Sequence, residues 1–213
     1  MVRVNGAVLV TGLNRGIGLE MTPSLLNKEN VTKVYAGSRN RDKSEMLRSL
    51  ADPNGKLRIL ELDVSKDSSI KSAAETVAEE SKHLNLLINN AAILENDHRA
   101  VIIGGERSSW LRHFDVNVVS SAMMIQECLP FLQKAEAKNE SATILNIIGR
   151  KGSIELCPGT ERLHGNYANM CTTFQGLSDP SKSAPIILDT IDGMTIANDS
   201  GKYLDRKGRT IPY

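Results

Sequence analysis

Aromatic side chains make up only 4% of this 213-residue chain, too few to build stacking platforms for single-stranded nucleic acid. Charge of one sign is missing as well. Lys and Arg number 26 against 25 Asp and Glu, a net charge of +1, which leaves neither a basic footprint for a phosphate backbone nor an acidic tail. Cysteine is scarce. Cys128, Cys157 and Cys171 are widely spaced, a pattern that forms neither a disulfide framework nor a zinc site. The four histidines, His83, His98, His113 and His164, form no paired-ligand motif and read as surface or packing residues. Long apolar runs are absent near the start: Ala7 to Val10 is four residues, too short for a signal segment or a membrane span. The expectation is a reduced, cytoplasmic protein with no nucleic-acid and no membrane partner.

What is present is a globular composition, 40% hydrophobic and 24% charged, in a length that fits one α/β domain without covalent staples. Short apolar runs alternate with helical periodicity. Strands are expected at Ala7–Val10, Val31–Ala36, Leu57–Leu62, Leu84–Ile88 and Thr143–Ile148. Helices are expected from Gly16, over Asp42–Leu50 with Asp42 and Glu45 as a capping pair, and over Ser69–Ser81. A long helix carries the apolar stripe Leu111, Phe114, Val118, Ala122, Ile125, Leu129 and Leu132. This alternation predicts right-handed βαβ crossovers and a Rossmann-type, doubly wound parallel sheet in a single domain over residues 1–213. Pro23 falls inside the first helix, where it removes a hydrogen bond. After residue 150 the pattern degrades. Tyr167–Leu177 reads as a short helix. Asp179 and Pro180 read as the cap and first residue of another, with Ala184, Ile187, Leu188 and Ile191 on one face and Gly193 as its stop. Lys202–Leu204 reads as a last strand.

The main chemical signal is Thr11-Gly12-Leu13-Asn14-Arg15-Gly16-Ile17-Gly18, set between a strand and a helix. Glycines there tighten the turn and let backbone N–H groups approach a pyrophosphate at the positive end of the helix. The plain alternative is a tight strand–helix turn with no ligand.

With this loop the chain resembles the short-chain dehydrogenase/reductase family. Asp63-Val64 after the third strand resembles the family's adenine-contact pair. Asn89-Asn90-Ala91-Ala92 after the fourth matches its Asn-Asn-Ala-Gly motif with Ala92 for the glycine, and Asn117 matches the asparagine of its catalytic helix. The Asn14-Arg15 loop and the segments Ser200–Leu204 and Ile211–Tyr213 are similar to the Sniffer-type and C-factor-like carbonyl reductases. The resemblance implies hydride transfer between a nicotinamide and a small-molecule ketone, aldehyde or quinone. It implies a cofactor site at Gly12, Asn14, Arg15, Gly16, Ile17, Gly18, Arg39, Asp63, Val64, Asn90 and Ala91. NADP(H) is expected rather than NAD: no carboxylate follows the second strand, whereas Arg39 and Arg15 suit a 2′-phosphate.

The catalytic pattern is broken. The family's Ser, Tyr and Lys polarise the carbonyl, and the Lys brings the tyrosine hydroxyl, ordinarily near pKa 10, toward the working range. Here the serine position falls on Gly149. Tyr167 is followed four residues later by Cys171; in the other possible frame the positions fall on Asn169 and Thr173. Lysine is missing in both. Asn117 and a remnant Tyr167 are the catalytic candidates, and no metal ligand set is seen. Only 14 residues separate Tyr167 from Lys182, too few for a strand–helix unit. The expectation is a sheet that lacks its sixth strand and most of the preceding helix, with residues 155–182 degraded and the family's dimer surface lost. Three readings follow: an impaired carbonyl reductase, a non-catalytic NADP(H)-binding pseudoenzyme, or a truncated isoform that folds poorly.

Overall fold

The computed structural model describes residues 4–42, 44–50, 52, 54–94, 106–148, 180–193, 201–202, 204–205 and 208–210. Five strands form one sheet: β1 (Gly6–Thr11), β2 (Val31–Ser38), β3 (Leu57–Glu61), β4 (Leu86–Asn89) and β5 (Thr143–Asn146). Their order is β3-β2-β1-β4-β5, and every pairing is parallel. The order reverses between β2 and β4 about β1, which opens a crevice at the carboxyl ends of β1 and β4.

The strands have few polar residues because both faces are covered. On β1, Val8 and Val10 join one cluster with α1 (Gly16–Leu26) and α6 (Pro180–Gly193). Ala7 and Leu9 join the other with α3 (Asp67–Ser81) and α5 (Ser120–Glu136). All four of these strand residues are at most 2% exposed. The helix expected after Asp179 is present as α6, whose Ala184, Leu188 and Ile191 are buried against the first cluster. Its Asp192 accepts the Val4 N–H and the Lys28 ammonium, at 2.7 and 2.5 Å, tying the carboxyl-terminal helix to the start of the sheet. Asp179 itself lies outside the described residues.

Several expectations are corrected. The helix over Asp42–Leu50 shrinks to α2 (Glu45–Arg48), and no side chain caps it. Asp42 pairs with Arg48 across an exposed 3.2 Å contact instead. Strand β4 starts two residues later than Leu84 and includes Asn89. Of the last strand only a single antiparallel bridge, Leu204 with Thr210, is formed among the described residues. Helix α1 runs through Pro23 to Leu26.

The largest correction concerns the long helix. It consists of α4 (Arg107–Phe114), a π-helical turn (Asp115–Val119) and α5. The extra residue of the wide turn shifts the helical phase. The buried face is Ser109, His113, Ser120, Met124, Cys128, Leu132 and Ala135. Leu111, Phe114, Val118 and Leu129 of the stripe are exposed, Phe114 by 51%. Polar residues tolerate the inner face because they bond to their own helix: His113 Nδ1 lies 2.8 Å from the Ser109 carbonyl, and the Ser120 hydroxyl donates to the Val116 carbonyl at 2.6 Å.

Candidate functional site

The chain leaves β1 into the glycine loop at the carboxyl edge of the sheet. Gly12 has φ +73°, and a Cβ there would stand 2.9 Å from Ala91 Cα. Only glycine fits that approach. A Cβ on Gly18 would lie 2.6 Å from the Gly12 carbonyl oxygen and 2.7 Å from Asn90 Nδ2, so Gly18 lets the first turn of α1 sit against the loop. Gly16 differs: its φ is +58° and nothing lies within 4 Å of the Cβ position. The first turn therefore faces open space, its side chains supply no cap, and it carries no acidic residue. Unpaired first-turn N–H groups and the helix dipole suit an anion there. Asn14 and Arg15 are exposed, whereas Ile17 is 7% exposed and belongs to the core.

Residues after β4 lock this loop in place. The Thr11 hydroxyl, 1% exposed, accepts the N–H groups of Asn90 and Ala91 at 3.0 and 2.9 Å. The Asn90 amide donates to the carbonyls of Thr11 and Gly12 at 2.9 and 3.1 Å. The fit of Thr11 and Asn90 is mutual, and Thr11 is a site residue that the sequence reading passed over. Its only sequence signal is a threonine directly before the first glycine.

Strand β2 joins the same edge. The Gly37 carbonyl accepts both the Gly12 and Leu13 N–H groups, at 2.9 and 3.0 Å. The exposed Arg39 follows directly, so Arg15 and Arg39 stand on loops that share one anchoring carbonyl. After β3, Asp63 Oδ1 accepts the Ser65 N–H at 3.2 Å and its hydroxyl at 2.8 Å, and Lys66 Nζ stands 3.5 Å from Oδ2. Burial alone would raise the Asp63 pKa, but these donors outweigh it and hold the carboxyl below its ordinary value. Val64 is 6% exposed inside the second core cluster, so its side chain anchors the turn rather than offering a ligand contact.

Asn117 sits in the π-helical turn. Its Oδ1 accepts the Ile93 N–H at 2.9 Å and its Nδ2 donates to the Ile93 carbonyl at 3.0 Å. Its amide thus holds the loop after β4. The structure brings Asn117, Asn90, Ala91 and the glycine loop to one edge. Gly149, Tyr167, Asn169, Cys171 and Thr173 lie outside the described residues. No cluster of three or more His, Cys, Asp or Glu among the described residues is placed to hold a metal, and no described helix is long and apolar enough to cross a membrane.

A parallel sheet with a glycine loop at its switch point defines a dinucleotide-fold protein, and the chain belongs to the short chain dehydrogenase family, whose pattern matches residues 6–158. An uncharacterized oxidoreductase of Schizosaccharomyces pombe is 30% identical over 249 residues, covering 96% of both chains. That alignment is longer than this chain, so it carries gaps opposite the relative's sequence. A short-chain dehydrogenase/reductase of Talaromyces stipitatus is 32% identical over 152 residues, 67% of this chain but 44% of the relative. The chain thus spans about half the length of several curated relatives, 53% in the case of another Schizosaccharomyces pombe oxidoreductase. Among solved structures, the NADPH-bound carbonyl reductase from chicken fatty liver has a TM-score of 0.81 at 26% identity, covering 99% of this chain and all of that one. The carbonyl reductase Sniffer of Drosophila melanogaster has a TM-score of 0.85 at 22% identity, over 98% of this chain and all of that one, a likeness of fold.

Proposed function

We propose that this chain binds NADP(H) and is a carbonyl reductase by construction, with turnover strongly reduced by the loss of two catalytic side chains. The observation that carries the binding half is the glycine loop: Gly12 and Gly18 are closed against Ala91 and Asn90, and Gly16 faces open space. The similarity to the NADPH-bound carbonyl reductase supports the same choice of cofactor. When bound, NADPH supplies a hydride for reduction of a ketone, aldehyde or quinone. The chain's own residues divide the remaining work. The first turn of α1 holds the pyrophosphate. Arg15 and Arg39 hold the 2′-phosphate, and no carboxylate follows β2 to select a free ribose hydroxyl. Asp63, kept ionised, accepts from the adenine amino group. Asn117 positions the loop at Ile93.

The chemistry half is weak. Gly149 has no hydroxyl to hold the substrate oxygen, and Cys171 and Thr173 have no ammonium to acidify a tyrosine. A positioned acid contributes about 10²–10⁴-fold and an oxyanion donor about 10²–10³-fold. The combined loss need not be additive, but several orders of magnitude in rate are at stake. That deficit favours a second reading, a non-catalytic NADP(H)-binding protein in the cytoplasm that acts through a partner. The test is a fluorescence titration with NADPH and NADH, followed by turnover with a quinone and an aldehyde. Tight NADPH binding with slow turnover supports the first reading, and binding with none supports the second. Loss of about tenfold or more in NADPH affinity is expected for Arg39→Ala, with NADH unaffected. Equal affinity for both dinucleotides in the unmutated chain overturns the NADP(H) assignment.

A further inference from the structure

The turn that carries Arg39 is held by two buried serines. Ser38 and Ser44 are 1% and 2% exposed, although the turn between them is on the surface and Arg39, Asn40, Arg41 and Asp42 are all exposed. Both hydroxyls converge on one atom. Ser44 Oγ lies 2.9 Å and Ser38 Oγ 3.2 Å from the Asn40 carbonyl, and the two hydroxyls are 2.8 Å apart. Each oxygen has one proton. One hydroxyl therefore donates to the carbonyl and the other donates to the first, and the pair closes in either arrangement. Buried hydroxyls are stable only when paired in this way. The same turn uses its remaining acceptors inward: Asn40 Oδ1 accepts the Asp42 N–H at 2.9 Å, and the Arg41 carbonyl accepts from Arg48 Nη2 at 2.7 Å. The described residues of this turn are thus knotted together around the Asn40 carbonyl, and Arg39 projects from them exposed.

We infer that Ser44, with Ser38, is a positioning residue that sets the preference between the two nicotinamide dinucleotides by fixing the backbone from which Arg39 reaches the 2′-phosphate. This rests on the NADP(H) reading above. The hydroxyls are turned to each other and to the Asn40 carbonyl. They act because a guanidinium pre-set toward its anion loses less freedom on binding. NADH has no 2′-phosphate, so its affinity is indifferent to the knot.

The test is a pair of titrations, NADPH and NADH, on the full chain and on Ser44→Ala, with Ser38→Ala as the second variant should the first not fold. Amide exchange at residues 39–41 in nucleotide-free protein gives a readout independent of any cofactor. The expected result is an NADPH affinity lowered about threefold to tenfold, a scale set by one neutral hydrogen bond. NADH affinity should be unchanged and exchange at the turn faster. Equal weakening of both nucleotides makes the serines merely structural and overturns the inference. No change in NADPH affinity, with Arg39→Ala still deleterious, overturns it as well. If Arg39→Ala also has no effect, the NADP(H) reading fails first and takes this inference with it.

Discussion

The centre of the sheet and its β5 edge are built to different standards. At β1, β2 and β4 the strand residues are almost all buried, and the polar groups at their carboxyl ends are tied to one another through Thr11, Asn90 and the Gly37 carbonyl. At β5 the residues alternate between half-buried and exposed, with Ile144 at 37% exposure, and Ile148 just beyond the strand is 42% exposed. Asn89 Nδ2 donates to Asn146 Oδ1 at 2.9 Å across the β4–β5 pair, yet the buried Asn89 Oδ1 has no partner among the described residues. A buried acceptor left unpaired costs about 1–3 kcal/mol. The lesson is one of division. The strands around the glycine loop are closely packed and tied, and β5 is partly exposed.

The sharpest way to break this comparison is a matched pair of truncations. Leu87→Ala, at a fully buried site of β4, should cost about 2–5 kcal/mol in denaturant unfolding. Ile144→Ala on β5 should cost no more than about 0.5 kcal/mol. Equal costs would mean that β5 is as well packed as the centre. The glycines come next. Gly18→Val drives a side chain into the Gly12 carbonyl and should cost about 1–3 kcal/mol. Gly16→Ala meets no atom, so only its left-handed φ is penalised, by about 1–2 kcal/mol. Its methyl also enters the open space above the first turn, so a loss in the NADPH titration should accompany that unfolding cost.

Smaller still is Lys82→Gly. Lys82 ends α3 with φ +67°, a conformation glycine adopts without strain, and the variant should gain about 0.5–1 kcal/mol in thermal or chemical unfolding. The smallest effect is one of pH. The Asn85 amide holds the Glu140 carboxyl below its ordinary value of 4.5 against partial burial, helped by His83 and Lys138. A depressed carboxyl stabilises the fold above that ordinary value, and the contribution disappears as pH falls through the lower folded value. Glu140→Gln should lower stability slightly at neutral pH, leave it nearly unchanged in acid below the folded value, and so flatten the acid limb of the stability profile. An unaltered acid limb would remove Glu140 from the account.

Much of the sheet was legible because its signals are local. Apolar runs marked all five strands, and the glycine loop announced the turn into α1. The outer parts were not. The stripe from Leu111 to Leu129 has good helical spacing but ends outside, because the turn at Asp115–Val119 resets the phase and Ser109, His113 and Ser120 satisfy their polarity on the helix itself. Nothing in the spacing of Ser38 and Ser44 shows that they meet over Asn40. Asp42 looked like a helix cap because capping is recognised by residue type, while the chain used it for an exposed ion pair.

The amide of Asn117 has a wider meaning. A primary amide presents the same donor–acceptor couple as a peptide unit, and here it meets the matching couple of Ile93. One side chain thereby mimics a rung of β-ladder between a helix and a loop that share no strand. Aspartate has the shape but not the donor, and leucine has neither. The site's rigidity at this point is thus written in a functional group that only asparagine or glutamine carries, and glutamine would carry it one methylene too far away.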